Sequence, residues 1–320
     1  MPKAKTRSAD DLEDLAALVV RMRAGERRAI SRAVTELERL SKVAPRLLEV
    51  FQPHLGHAQV VGFTGPPGAG KSTLVNAYTR HIREAGKSVG IIAVDPSSPI
   101  SGGAILGDRV RMTATLDDDG VFMRSLASRG YLGGLSPAAV RIIDALDAAG
   151  KDVVLLETVG TGQSEIDVAE IADVRIVVTA PGLGDDIQAM KSGLLEIADI
   201  LVVNKGDREG AERTMQQLLG ALSIRPADRG KTPVLKTTAT TGEGIAALAD
   251  AVARCETRSA GGDARERRRR RARYLIARAA ADLVAQRIKG GGTQALSELA
   301  DQVLAGSLLP EDAARRLLKN

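Results

Sequence analysis

Residues 65–72, Gly-Pro-Pro-Gly-Ala-Gly-Lys-Ser, are the part of this chain whose types and spacing most directly imply chemistry. They fit G-x-x-x-x-G-K-[ST], a loop in which small residues let successive backbone N–H groups converge on phosphate oxygens while Lys71 supplies charge and Ser72 a magnesium-facing hydroxyl. The motif follows an apolar run ending at Thr64 and opens an amphipathic segment, the strand-to-helix setting it requires. The N–H groups of residues 68–73 then wrap a β-phosphate from a helix N-terminus, and the Thr73 hydroxyl is placed for the α-phosphate. Gly68 and Gly70 are expected to keep side chains out of that approach, with Gly65, Pro67 and Ala69 completing the loop. A nucleoside triphosphate is the implied ligand.

A second segment, Asn204-Lys205-Gly206-Asp207, selects the base. The Asp207 carboxylate can accept from both N1–H and the 2-amino group of guanine, whereas adenine offers it a lone pair and no second donor. A polar group left unpaired by the wrong ligand discriminates on the order of 10⁴-fold. Asn204 is expected to brace the base and the phosphate loop, and Lys205 to lay its aliphatic stem along the purine. In the run of residues 237–242, Thr238 and Thr240 flank Ala239, whose backbone N–H could donate to the guanine O6. GTP is the expected substrate.

A third segment, Glu157-Thr158-Val159-Gly160, closes the phosphate end. The Gly160 N–H can meet the γ-phosphate, which makes residues 97–111 and 161–165 natural switch loops, ordered by the triphosphate and released after hydrolysis. Magnesium is expected on Ser72 and the phosphates, with Asp95, Asp108 and Glu157 as acids acting directly or through water. Lys71 and Glu157 are catalytic candidates. Thr161 directly follows Gly160 where the commonest small-GTPase pattern has a glutamine, so the water-positioning group is open among Gln163, Arg109 and Lys191. Slow intrinsic hydrolysis, raised by a partner, follows.

With 320 residues and 44% hydrophobic content the chain can bury a large core, but aromatics make up only 2%, so stacking platforms for single-stranded nucleic acid are nearly excluded. The net charge of +5 owes much to the arginine run of residues 265–273. A run of this kind is usually a solvated helix face, with a nucleic-acid patch as the alternative. Cys255 is the only cysteine, which excludes an internal disulfide and a Cys-x-x-Cys site. No stretch is long and apolar enough to span a bilayer, and the cytoplasm is the compartment expected.

These residues need a scaffold, and the apolar pattern describes one. Residues 1–57 read as an N-terminal helical extension, with Pro45 in the first turn of its third helix. Residues 58–258 read as the nucleotide domain. Its short apolar runs at 60–64, 89–94, 153–156, 176–179, 200–203 and 234–236 alternate with amphipathic segments at 73–85, 137–149, 187–198, 211–222 and 245–255. This is the pattern of an α/β, doubly wound, mainly parallel sheet of the P-loop NTPase type, with helices on both faces. Ligands of such sheets sit beyond the carboxyl ends of the strands, where Lys71, Asp95, Glu157, Asn204 and Ala239 all fall. Residues 259–320 read as a helical arm whose apolar seam, Tyr274, Ala277, Ala281, Val284 and Ile288, suits a second copy of the chain or the chain's own N-terminal helices.

The combined motifs resemble the MeaB/ArgK family of GTPases. The carriers are the phosphate loop, Asp95-Pro-Ser-Ser98, residues 102–109 (Gly-Gly-Ala-Ile-Leu-Gly-Asp-Arg), residues 157–165, residues 182–191 and Asn204-Lys-Gly-Asp207. The resemblance covers nearly the whole chain. It implies a magnesium-dependent GTPase coupled to an adenosylcobalamin-dependent acyl-CoA mutase, gating delivery of intact cofactor and removal of damaged cobalamin. It also implies a homodimer through the C-terminal arm, with Asp95, Asp108 and Glu157 near the metal. An additional switch within residues 182–191 would make Asp185, Gln188 and Lys191 coupling residues, beside Arg109. The cobalamin would be bound by the partner. The partners expected are the mutase, a second copy and an adenosyltransferase, with neither membrane nor nucleic acid. The competing readings are a metallochaperone GTPase for metal-centre assembly, a nucleic-acid module working through the arginine run, and a small-molecule kinase.

Overall fold

Buried β-branched residues on both faces make strands that can only lie inside a covered sheet, and such strands form the middle of a seven-stranded sheet at the centre of the protein. The computed structural model describes residues 6–95, 117–127, 137–158, 164–183, 193–223, 232–259, 264–289 and 294–319. The strands are β1 (Gln59–Thr64), β2 (Val89–Asp95), β3 (Val121–Ala127), β4 (Val153–Thr158), β5 (Val174–Thr179), β6 (Ile200–Val203) and β7 (Val234–Lys236). All pairings are parallel, in the order β3-β2-β4-β1-β5-β6-β7.

On one face, Val61, Phe63, Ile91, Leu155, Ile176 and Val202 pack with helices Lys71–Glu84 and Ile245–Ser259. The other face carries Pro137–Ala148, Ser164–Ile171 and Ala211–Ser223. The doubly wound, parallel sheet expected from the sequence is the observed fold. The connections put β4 and β5 on either side of β1, so the loop after β1 emerges between their carboxyl ends.

Two elements differ from the sequence pattern. β3 was not expected, because Arg124 and Ser125 interrupt its apolar run. It is an edge strand, and Arg124 pairs with Glu38 of the helix Arg27–Glu38, a partner that only the tertiary structure supplies. The helix expected over 187–198 is described only from its last part, Leu194–Ile197, because residues 184–192 lie outside the described set.

The amino-terminal edge of the sheet is tied together by aspartates just ahead of the strands. Asp152 accepts from the Ser88 N–H at 2.7 Å, Asp173 from Val60 at 2.9 Å and Asp199 from Arg175 at 2.9 Å, each linking the entry of one strand to that of another. Strand-start amides have no ladder partner, so a carboxylate there both satisfies a donor and holds register. Asp147, at the end of Pro137–Ala148, accepts from Gly56, His57 and Ala58 at 2.6, 3.1 and 2.9 Å. That docks the three N-terminal helices, Thr6–Arg23, Arg27–Glu38 and Ala44–Phe51, beside the sheet. Pro45 occupies the first turn of the last of these, as its rigid φ favours.

The described chain divides into two compact units, residues 1–271 and 272–320. The division falls inside one helix, Ala264–Lys289. Within the first unit, the arginine run departs from the expected solvated face. Arg265 and Arg269 are exposed, but Arg271 is buried, and Arg268, Arg270 and Arg271 hydrogen-bond to Gln52, to backbone carbonyls and to Asp173. The second unit contains the rest of that helix with Gln294–Leu304 and Pro310–Lys319, the latter two packed together. Ile276, Leu283, Leu304 and Leu309 are exposed there. Among the described residues, no helix is long and apolar enough to cross a membrane.

Asp144, beside Asp147 on the same helix, has its carboxyl pushed up to about 6 by burial, against the pull of Arg271 and Arg268, and Asp147 adds to the rise. The folded state therefore holds this proton more tightly than the unfolded chain. Stability is lost as pH rises from the ordinary carboxylate range through about 6. The full loss is on the order of 2–3 kcal/mol. Asp144→Asn should gain melting temperature relative to the parent between pH 5 and pH 7.5, and a difference that does not change with pH would refute this assignment.

Candidate functional site

Parallel pairing of β1 with β4 sets Phe63 opposite Glu157, so the carboxylate arrives at the start of the phosphate loop. Glu157 and Ser72 are both buried, and the Ser72 hydroxyl donates to Glu157 Oε1 at 2.6 Å. A serine oxygen and a carboxylate oxygen thus converge beneath the loop, the hard oxygen donors that magnesium prefers. The fit is to two of the expected metal residues. Asp95 ends β2, though only its backbone is described, and Asp108 lies outside the described residues.

The loop is held in shape by side chains that bind its carbonyls. The Lys71 ammonium, buried, donates to the carbonyls of Gly65 at 2.6 Å and Pro66 at 3.0 Å. Lys205 Nζ reaches the Gly68 carbonyl at 2.7 Å, and Asn204 Nδ2 reaches those of Ala69 at 3.0 Å and Gly70 at 3.3 Å. The carbonyl and the following N–H of a trans peptide point in opposite directions. Pinning the Ala69 and Gly70 carbonyls to Asn204 therefore aims the amides of Gly70 and Lys71 away from it. Helix Lys71–Glu84 begins directly behind, so these amides also carry the positive end of its dipole. Thr73 lies in its first turn, half-buried, while Pro67 and Gly68 are exposed.

Gly70 has a requirement that arises within the protein itself. It is the residue before the helix, at φ +84°, and a Cβ there would sit 2.5 Å from Asn204 Nδ2. Its requirement comes from the left-handed turn and from the asparagine behind it. At Gly68, with φ +81°, a Cβ would meet no protein atom within 4 Å, so within the protein its requirement comes from the left-handed turn.

Asn204 follows β6, and its carboxamide oxygen accepts from the Thr237 hydroxyl and the Ala239 N–H, both at 3.2 Å. The Ala239 amide, expected to face a guanine O6, is here directed to Asn204. Thr237 is a site residue whose partner the sequence did not identify; the threonine-rich run around it was the available signal. Lys205 has φ +55°, a strained value for a side-chain-bearing residue, and this turn sends its ammonium back to the loop. Asp207 is exposed, at the rim. Thr238 is buried and bridges to Glu243, and Thr240 is exposed.

The structure thus brings together Gly65, Pro67, Gly68, Ala69, Gly70, Lys71, Ser72, Thr73, Glu157, Asn204, Lys205 and Ala239. Arg109, Gly160, Gln163, Asp185, Gln188 and Lys191 lie outside the described residues. The model of the methylmalonyl-CoA mutase-associated GTPase family, MeaB, matches residues 27–293.

The chain belongs to the MeaB family. This MeaB-family chain is 42% identical over 307 residues to a Pyrococcus horikoshii protein provisionally named a GTPase, covering 94% of this chain and 96% of that one. It is 44% identical over 197 residues to the GTPase ArgK of Escherichia coli, covering 60% of each. The mouse mitochondrial protein named as the methylmalonic aciduria type A homolog is 33% identical over 267 residues, covering 81% of this chain and 64% of that one. A crystal structure described as an LAO/AO transport system kinase superposes with a TM-score of 0.75 at 28% identity, over 95% of this chain and 96% of that one. The MeaB-family chain is a P-loop GTPase, and its nucleotides are GTP and GDP.

Asn204→Ala removes hydrogen bonds to two loop carbonyls and two further donors, in a buried place. Affinity for GTP and GDP alike should fall by about 100-fold, the equivalent of roughly 2–3 kcal/mol. Isothermal titration with both nucleotides checks this, and unchanged affinity would show that the loop holds its shape without the amide.

Proposed function

We propose that this GTPase is the accessory chaperone of an adenosylcobalamin-dependent acyl-CoA mutase, using GTP hydrolysis to gate cofactor loading, protection and reactivation. The observation that carries the reading is the match of residues 27–293 to a family described by its association with methylmalonyl-CoA mutase, on a chain with a braced phosphate loop. The likeness to a mouse protein named for methylmalonic aciduria points the same way. The cobalamin itself would stay with the partner. The expected setting is the cytoplasm, and an adenosyltransferase is a further candidate partner.

In this proposal the amides of residues 68–73 hold the β-phosphate, Lys71 exchanges its loop carbonyls for β- and γ-phosphate oxygens, and Thr73 meets the α-phosphate. Ser72 and Glu157, with Asp95 and Asp108, would hold magnesium, which would supply positive charge to offset that developing on the phosphates. Gly160 reads the γ-phosphate, and Gln163, Arg109 and Lys191 are candidates to orient the attacking water. Asp207 takes the guanine N1–H and 2-amino group, with Asn204, Lys205, Thr238, Ala239 and Thr240 around the base. Asp185, Gln188 and Lys191 relay the presence of the mutase.

The partition proposed is residues 1–57 as a helical extension, 58–258 as the GTPase domain and 259–320 as an arm. A homodimer through that arm would cover Ile276, Leu283 and Leu304, which are exposed in the single chain.

Two measurements test this. Asp207→Asn should weaken GTP by about 10²-fold or more and favour xanthosine triphosphate, whose 2-oxo group matches the new amide donor. Unchanged GTP affinity would count against the base assignment. GTP turnover with and without purified cobalamin mutases of different acyl specificity should rise with one of them, and a rate indifferent to all would remove the mutase from the proposal.

A further inference from the structure

The turn of residues 204–207 is seated against the end of β7, on the side chain of one lysine. β6 ends at Val203, level with Lys236 of β7, and the chain then turns through Lys205, so that the Gly206 N–H donates to the Thr237 carbonyl at 2.9 Å. The stem of Lys236 lies along Gly206. A Cβ at Gly206 would stand 2.6 Å from Lys236 Cγ, 3.1 Å from its Cδ and 3.2 Å from the Thr237 carbonyl oxygen. The φ of Gly206 lies outside the left-handed range, so space and not backbone conformation excludes a side chain there.

Lys236 is itself held from several sides. Its backbone belongs to the ladder of β6 and β7, opposite Val203. Gly244, at φ +79°, closes the loop after β7 so tightly that a Cβ there would stand 2.3 Å from the Lys236 carbonyl oxygen, and Thr238 bridges to Glu243 within the same loop. The Lys236 ammonium pairs with Glu212, in the first turn of helix Ala211–Ser223, which packs on β6 and β7. The Glu212 side chain is 68% exposed, so the pair adds little energy by itself. What it supplies is direction, drawing the aliphatic stem across Gly206.

Asp207 follows Gly206 directly and is exposed at the rim. Where the turn lies against Lys236 therefore decides where that carboxylate can reach. Moving a Cβ at Gly206 from 2.6 Å to an ordinary carbon–carbon contact of about 3.5 Å requires a shift of about 1 Å. A hydrogen bond is made over a donor–acceptor window of only about 0.5 Å, so a shift of that size breaks one. We propose that Gly206 and Lys236 are positioning residues for base specificity: by seating the turn on the lysine stem, they present the Asp207 carboxylate to the guanine edge at the distance that accepts two donors at once. The inference rests on the reading of Asp207 as the acceptor of the guanine N1–H and 2-amino group.

Isothermal titration of the full chain with GDP and with inosine diphosphate, which lacks the 2-amino group, tests this through the ratio of the two affinities. Gly206→Ala should lower the preference for GDP about tenfold, the loss of the bond to the 2-amino group. Lys236→Met keeps the stem and should hold the parent ratio within about twofold, whereas Lys236→Ala removes the stem and should lower it about threefold. Combining Gly206→Ala with Lys236→Ala gives the new methyl the space the stem has left, and should recover most of the ratio lost in Gly206→Ala alone. Asp207→Ala, which should remove the preference, checks the underlying reading. If Asp207→Ala loses the preference while Gly206→Ala keeps the parent ratio, whether both nucleotides bind normally or weaken equally, the positioning role is overturned and the base reading stands. A parent ratio in Asp207→Ala overturns both. Should Gly206→Ala fail to fold, Lys236→Ala beside Lys236→Met decides, and equal ratios in those two overturn the proposal.

Discussion

The Asn204 carboxamide faces two ways, and the geometry of the nucleotide site depends on both. Its amino group holds the Ala69 and Gly70 carbonyls, and its oxygen holds the Thr237 hydroxyl and the Ala239 N–H. The loops after β1, β6 and β7 are thereby joined through one buried group. A carboxamide suits this place because it carries donors and acceptors on one rigid plane, whereas an aspartate could not donate to the loop carbonyls. Gly70 is the complement of that choice, since any side chain there would displace the amide.

The two edges of the sheet divide their tasks. At the amino edge, Asp152, Asp173, Asp199 and Asp147 consume backbone donors and hold strand entries to one another. These bonds are made to charged acceptors, which makes them stronger than neutral ones. At the carboxyl edge the strands end in Glu157, Asn204 and the threonine-rich run. There the bonds run from side chains to loop carbonyls, and backbone amides are turned outward. Rigidity at one edge is what allows the other to present a preorganised site.

Much of this was legible in the residues. Six strands declare themselves by short runs of Val, Ile and Leu, because a strand buried on both faces has no polar alternation to hide in. The phosphate loop and Asn204-Lys-Gly-Asp207 were equally plain as motifs, and the chain belongs to the MeaB family that they resemble. β3 was not legible, since Arg124 and Ser125 break its pattern and its charge is compensated by Glu38, 86 residues away. The arginine run was misread for a related reason. Local composition marks it as a surface, but the partners that bury Arg271 are a helix end and an aspartate about 100 residues earlier.

The amino-acid sequence by itself determined six of the seven strands and the residue types of the phosphate loop and of Asn204-Lys-Gly-Asp207, because each depends on residue types within a few positions of one another. Tertiary structure alone decided which groups share a hydrogen bond: Ser72 with Glu157, Asn204 with the loop, and Arg270 and Arg271 with the end of Ser164–Ile171. These pairs are set by parallel register and by the order of the strands. Both are long-range properties, fixed by how apolar faces stack and by which carboxylate reaches which strand entry, and no local pattern in the chain encodes them.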